Sequence, residues 1–137
     1  MKYFLAKSEP GVYSIDDLAR DGRTVWDGVR NPQAVQAILS MKEGDLVFIY
    51  HSGGESRIVG TARVVKAGRP DPKDAKSGLM DLEFVSKLET PVTLAEIKQS
   101  GLFADWALVR QSRLSTMAVP DSAVKWIKKK APGSLDA

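Results

Sequence analysis

Six consecutive residues, Trp26-Asp27-Gly28-Val29-Arg30-Asn31, place an indole, a guanidinium and an amide directly before a predicted helix start. An indole can stack on a flat ring, and a guanidinium presents a planar fork of donors to an anion or a polar edge. The free amides at a helix start add an attraction for acceptors and phosphates. We therefore expect this segment to bind a flat, polar ligand. Trp26 is equally consistent with a core position, because large aromatic side chains are usually buried.

A second group, Tyr50-His51-Ser52, ends a predicted buried strand. Tyr50 and Ser52 share the face that carries Leu46 and Phe48, and their hydroxyls can donate to or accept from a ligand at the end of that face. Tyr50 can also cap the core with a solvated hydroxyl. Lys7 and Ser8 end the first predicted strand in a similar way, and Lys7 is suited either to a phosphate or to solvent.

His51 is the only histidine, and the chain has no cysteine. Ser52 lies on the opposite strand face, which excludes a direct serine–histidine pair, and no second histidine or cysteine completes a zinc site. We expect a structural histidine, hydrogen-bonded near the rim of a pocket. Glu9, Asp16, Asp17 and Asp27 are a second arrangement that suits magnesium, but Asp16 and Asp17 already have an ordinary role in the first turn of a helix. No catalytic residue, metal or cofactor is predicted.

Composition limits the class of protein. The chain has 137 residues, which fits one domain, and its formal charge of +3 slightly favours a polyanionic partner. No apolar segment approaches the length of a membrane span, and the short apolar N-terminal run does not fit a secretory signal. We expect a soluble, cytoplasmic and monomeric protein without membrane contact. Association with the nucleoid or other nucleic acid fits the same charge.

Local signals predict the elements that position these residues. Ser14 caps a short helix over residues 15–20, and Asn31 with Pro32 starts another. Thr93 and Glu96 form a capping box for a third helix. Strands are predicted over residues 2–7, 46–52, 57–66, 80–84, 106–111 and 114–119, with a loop over 67–78 and a last helix from Asp121. Many short strands between small helices predict an α+β fold around a strongly curved or closed sheet.

Several separate motifs now occur in a recognisable order. They are Lys7-Ser8-Glu9-Pro10, Tyr13-Ser14, Trp26 to Asn31, Met41-Lys42-x-Gly44-Asp45, Tyr50-His51-Ser52, Ile58-Val59-Gly60 and Val109 to Ser115. Together they resemble the EVE domain family of the PUA-like superfamily, over residues 1–130. The resemblance implies a small closed or nearly closed β-barrel decorated with short helices, followed by a polar tail over 131–137. It also implies kinship with domains that read modified nucleobases in RNA or DNA.

The resemblance further implies a pocket at one end of the barrel, and no catalytic activity is carried over. Arg30, Arg110 and Arg113 suit phosphates or base edges, although surface or ion-pair roles fit them equally. We expect a module that binds RNA or DNA and recognises a modified nucleobase. The alternatives are an enzyme acting on nucleotides or nucleic acid, and a small-molecule or protein interaction module. Truncating Trp26 should then weaken binding with little change in melting temperature. The predicted ligand-binding residues are Lys7, Ser8, Trp26, Arg30, Asn31, Tyr50, His51, Ser52, Arg110, Arg113 and Ser115.

Overall fold

The computed structural model describes residues 1–132, and this part of the chain forms six strands and five helices. The α+β class expected from the sequence is confirmed. In chain order the elements are β1 (Tyr3–Ser8), α1 (Ile15–Asp21), β2 (Arg23–Val29), α2 (Pro32–Leu39), β3 (Leu46–His51), β4 (Arg57–Asp71), β5 (Asp74–Thr93), α3 (Leu94–Gln99), α4 (Ala107–Arg110), β6 (Thr116–Ala118) and α5 (Asp121–Lys130).

The six strands form one sheet in the order β2-β5-β4-β3-β1-β6. The β1–β3 pair is parallel, and the other four pairs are antiparallel. Over the described residues β2 and β6 lie at opposite edges and do not pair with each other, so the sheet is not closed into a barrel. The nearly closed form of the prediction fits this sheet, and the closed form does not.

Two hydrophobic cores hold the helices against the sheet. The first core, which we call the α1/α2 core, contains Phe4, Val47 and Ile49 together with Ile15 from α1 and Ile38 from α2. The second, the α3–α5 core, contains Leu5, Phe48 and Tyr50 with Ile97, Leu108 and Ile127 from the last three helices. Alternate residues of β1 and β3 therefore enter different cores, as the period of two predicts.

The helix starts follow the predicted capping chemistry. The Ser14 hydroxyl accepts a hydrogen bond from the Asp17 amide, and the Asp17 carboxylate accepts one from the Ser14 amide. The Asn31 side chain accepts from the amides of Gln33 and Ala34 at the start of α2. Thr93 and Glu96 make the same reciprocal pair at α3. These caps fix where each helix begins, because they satisfy amides that lack a partner within the helix.

The predicted loop over residues 67–78 is wrong. Strand β4 continues to Asp71 and β5 begins at Asp74, so the two long strands form a hairpin with a tight connection. Its register shifts on both sides of Pro70, and such irregularities tolerate a residue that has no amide to donate. The strand β2 was not predicted either, because Gly28 and the charged residues within it hide the alternation of apolar and polar side chains.

The predicted strand over residues 106–111 is also wrong, because this segment forms the short helix α4. The amides of Val109 and Arg110 both donate to the Trp106 carbonyl oxygen. A short apolar run does not distinguish strand from helix by its pattern alone. The strand predicted over 114–119 is present but shorter, as β6.

Residues 133–137 of the predicted tail lie outside the described residues. In residues 1–132, no helix combines the length and apolarity that a membrane span requires.

Candidate functional site

A hollow of about 550 Å³ opens between the two edges of the curved sheet. Residues 24–30 of the edge strand β2 form one side, and the end of β1 with Ser115 forms the other. The β1 amide of Lys7 donates to the Ser115 carbonyl oxygen at 2.8 Å, which fixes the segment before β6 beside β1. The volume lies within the roughly 300–1,000 Å³ of typical ligand sites. The hollow therefore lies where closure of the sheet is incomplete.

Trp26 and Tyr13 form the aromatic wall of the hollow. The Trp26 side chain packs into the α1/α2 core and is 9% exposed, so a narrow strip of the indole faces the hollow. Tyr13 meets it edge-on, with ring centroids 6.2 Å apart and an interplanar angle of 83°. The Tyr13 hydroxyl donates to the Asp21 carboxylate at 2.8 Å, which holds the phenol ring in place. Trp26 is thus both a core residue and a lining residue.

Tyr13 was not among the site residues predicted from the sequence. The turn chemistry of Pro10 and Gly11 was the available signal, because a turn after β1 returns the chain over the end of that strand. The Ser8 hydroxyl fixes this return by donating to the Tyr13 carbonyl oxygen at 2.6 Å. Ser8 still has acceptor lone pairs toward the hollow, while its single proton is used.

A β-bulge shapes the β2 side of the hollow. Trp26 pairs with Met80 and Val29 pairs with Gly78, so Asp27 and Gly28 together face the single residue between those partners. Gly28 has φ of 77°, a left-handed conformation that costs glycine little and other residues more. Bulges of this kind redirect side chains next to functional sites. Asp27, at this bulge, is exposed and lines the hollow.

The cationic side chains at the hollow are already oriented by the protein. The Lys7 ammonium donates to the Ser112 carbonyl oxygen at 3.0 Å and lies 5.4 Å from the centroid of the Tyr50 ring. Burial of this half-buried side chain lowers the pKa of Lys7. Arg30 Nε lies 3.0 Å from a carboxylate oxygen of Asp74 on β5. These contacts reduce the freedom that each cation loses when an anion binds.

Four other predicted site residues, Arg110, Arg113, Ser52 and Asn31, do not line the hollow. Arg110, at the end of α4, and Arg113, in the following loop, are exposed. That loop contacts Lys7 through Ser112. The Ser52 amide donates to the Ser8 carbonyl oxygen at 3.0 Å, which brings the end of β3 beside the end of β1. Asn31 follows the lining residue Arg30, and its side-chain oxygen is used by the α2 cap. A ligand role for each of these residues stays a prediction.

Tyr50 and His51 do not line the hollow. Tyr50 is 3% exposed and belongs to the α3–α5 core, whereas Trp26 belongs to the other core. His51 Nε2 accepts from the Ile15 amide at 3.0 Å, so the proton is assigned to Nδ1, which lies 3.0 Å from Glu55 Oε1. Both imidazole nitrogens are therefore engaged, Nε2 at the start of α1 and Nδ1 with Glu55. Among residues 1–132 no three acidic or histidine side chains lie close enough together to hold a metal ion, so the carboxylate cluster is not assembled. Asp16 instead pairs with Lys87, and Asp17 pairs with Arg20.

The His51–Glu55 contact gives the fold an acid-sensitive element. The hydrogen bond from His51, with a further contribution from Arg57, lowers the pKa of the Glu55 carboxyl. A lowered folded-state pKa contributes stability that is complete above the unfolded pKa of about 4.3 and is lost as pH falls through the folded value. We expect Glu55→Gln to reduce the loss of unfolding free energy between pH 6 and pH 3, measured by urea titration at each pH. Glu89→Gln, at an exposed position, is the control. If the unfolding free energy of Glu55→Gln fell with pH as steeply as that of the unmodified protein, Glu55 would not be the acid-sensitive group.

The sequence of the chain is similar to those of known proteins. The sequence model of the EVE domain matches residues 2–130. The chain is 34% identical to human thymocyte nuclear protein 1 over an alignment that covers 70% of this chain and 55% of that protein. It is 33% identical to the Danio rerio protein of the same name over an alignment that covers 82% of this chain and 64% of the relative. The chain thus spans a little over half the length of these relatives.

Solved structures agree with the sequence match. A protein of Rhodopseudomonas palustris is 38% identical with a TM-score of 0.89, and the match covers 100% of this chain and 97% of that chain. The human THYN1 protein in complex with DNA that contains 5-methylcytosine is 27% identical with a TM-score of 0.85, covering 95% and 97% of the two chains. An ASCH protein mutant from Zymomonas mobilis, at 10% identity and a TM-score of 0.66, shares the fold alone.

Proposed function

Because this chain belongs to the EVE domain family, we propose that it binds RNA or DNA and holds one nucleobase, a modified one, in the hollow beside Trp26. The observation that carries the proposal is the combination of an aromatic wall and oriented polar groups around about 550 Å³ of open space. Sequence-specific recognition of unpaired bases uses this combination, with a ring against aromatic side chains and hydrogen bonds to its edges.

The cations around the hollow suit the phosphates of a nucleic acid. Lys7 and Arg30 line the hollow, and Arg110 and Arg113 are exposed on the neighbouring segment. Phosphate contacts fix the position of a strand and supply affinity that depends on salt, while the hollow supplies the dependence on the base. Replacing Arg110 or Arg113 should therefore lower the affinity for oligonucleotides of different sequence by a similar factor.

The preference for a modified base follows from the apolar part of the lining. Val12, Trp26 and Val29 line the hollow beside its polar groups. An added methyl group gains affinity where it fills apolar space that the plain base leaves empty. The human relative was solved with DNA that contains 5-methylcytosine, which supports the same class of ligand for this chain. We further propose that the protein binds the base without converting it chemically, that residues 1–130 act as one monomeric EVE domain, and that the protein is cytoplasmic.

The test compares oligonucleotides that differ at one central position, carrying either 5-methylcytosine or an abasic site. Each is used as a single strand and in a duplex. A held base should raise affinity about 5- to 150-fold over the abasic oligonucleotide, because a stacked base contributes roughly 1–3 kcal/mol. Fluorescence anisotropy titrations at fixed salt measure the ratio.

A variant that fills the hollow connects this ratio to the site. Ser115 is half-buried and lines the hollow, whereas Ser112 is exposed in the same loop and does not. We expect Ser115→Phe to reduce the affinity for the base-containing oligonucleotide to that for the abasic one, and Ser112→Phe to keep the difference. Equal affinity of the unmodified protein for both oligonucleotides would overturn the proposed function.

A further inference from the structure

Asp27 differs from the other polar side chains at the hollow, because no partner for its carboxylate exists among residues 1–132. The Ser8 hydroxyl donates to the Tyr13 carbonyl oxygen, and the Tyr13 hydroxyl donates to Asp21. The Lys7 ammonium donates to the Ser112 carbonyl oxygen. An ionised carboxylate accepts hydrogen bonds only. Asp27 is therefore an acceptor available to a ligand that brings its own donor.

The backbone places this carboxylate at the hollow by a specific device. The register skip between Trp26 and Val29 inserts one extra residue, and Gly28 takes up the left-handed conformation there. Without the bulge, strand alternation alone would set the directions of the residues after Trp26. The bulge also lies on the free edge of β2, next to the most buried aromatic residue of the lining, Trp26.

We propose that Asp27 accepts a hydrogen bond from the exocyclic amine of the bound base, so that the site prefers cytosine, which carries such an amine, over thymine and uracil, which do not. This inference rests on the proposed function. Cytosine presents an amino group where thymine presents a carbonyl oxygen. A carbonyl oxygen facing the Asp27 carboxylate would pair two acceptors, which leaves both without a donor inside the site.

The pair 5-methylcytosine and thymine isolates this contact, since both carry the same methyl group and they differ in the amine or carbonyl. The test base stands at the centre of a single strand, and in a second format opposite an abasic site, so that base pairing contributes nothing. We expect the unmodified protein to prefer 5-methylcytosine about 5- to 150-fold, the range for one good edge contact. Asp27→Asn should reduce this preference to less than about twofold, because an amide offers both a donor and an acceptor.

Asp105→Asn is the matched control, because it removes the same charge from an exposed residue outside the hollow. It should keep the preference for 5-methylcytosine, while any general gain in phosphate attraction appears equally with both bases. An unchanged preference in Asp27→Asn would overturn the role of Asp27. The role of Asp27 would also be overturned if the unmodified protein bound 5-methylcytosine and thymine equally well. If it bound both more tightly than an abasic strand, the proposed function would still stand. Equal binding of all three strands would instead overturn the proposed function itself.

Discussion

Replacing Trp26 with alanine is expected to lower the free energy of unfolding by about 3–5 kcal/mol, the usual cost of truncating a buried aromatic side chain. The indole is 9% exposed and packs with the α1/α2 core, so its removal leaves a cavity in that core, where Met80 is the cross-strand partner of Trp26. The sequence alone favoured a nearly unchanged melting temperature, and the burial of Trp26 replaces that expectation. Urea titration of the unmodified protein and of Trp26→Ala measures the difference.

Val25→Ala is the control for this change. Val25 is the neighbouring β2 residue and is 49% exposed, so we expect a loss of less than about 1 kcal/mol. A Trp26→Ala protein as stable as the control would show that the indole is not part of the core. Trp26→Phe keeps an aromatic ring and part of the packing, and it is the variant with which to measure binding. We expect it to remain folded and to bind the base-containing oligonucleotide more weakly than the unmodified protein does.

The starts of the helices were predictable because capping is local. Ser14 with Asp17, and Asn31 with Pro32, act on amides within three residues of themselves, so the short-range sequence contains the whole interaction. The EVE resemblance depends on motifs of the same kind, and the fold that it implies is confirmed in its α+β class and nearly closed sheet. These local signals did not predict the edge strand β2, because a β-bulge at Gly28 interrupts the alternation of its side chains.

The site was predictable in part for a related reason. The sequence placed Trp26, Lys7, Ser8, Arg30 and Ser115 in one site, and the structure brings these five around one hollow. It placed Tyr50 there as well, because alternation shows that Tyr50 follows Phe48 on one face of β3. Alternation does not show which face of the sheet turns toward the opening. That choice depends on long-range packing of α3, α4 and α5 over the Tyr50 face.

The hairpin that the sequence failed to predict also supports the site. Gly68 on β4 lies against the end of α2, where a Cβ atom would come within 1.6 Å of the Ile38 carbonyl oxygen. A Cβ on Gly78 would meet the Val35 and Ile38 side chains at 3.3 Å. In the sequence these glycines, with Pro70 and Pro72 between them, indicate a loop. In the fold they leave room for a helix to approach the sheet closely.

Gly68→Ala is expected to cost at least about 3 kcal/mol of unfolding free energy, near the upper end of overpacking effects. The obstructing atoms are helix backbone, which has no alternative rotamer, so α2 has to move away from β4. That movement also weakens the hydrogen bond from the Gly68 amide to the Met41 carbonyl oxygen, now 3.1 Å long. Thermal and urea unfolding of the variant measure the loss.

Gly11→Ala separates this steric effect from the general effect of replacing glycine. A Cβ at Gly11 meets nothing within 4 Å, and its φ is not in the left-handed region, so we expect a change between zero and about 1 kcal/mol in the stabilising direction. A Gly68→Ala protein as stable as Gly11→Ala would mean that α2 does not rest on β4 as described. Because Asn31 and Arg30 immediately precede α2, that result would also change the placement of the hollow's β2 side. The close packing of α2 against Gly68 therefore supports both the fold and the position of the hollow.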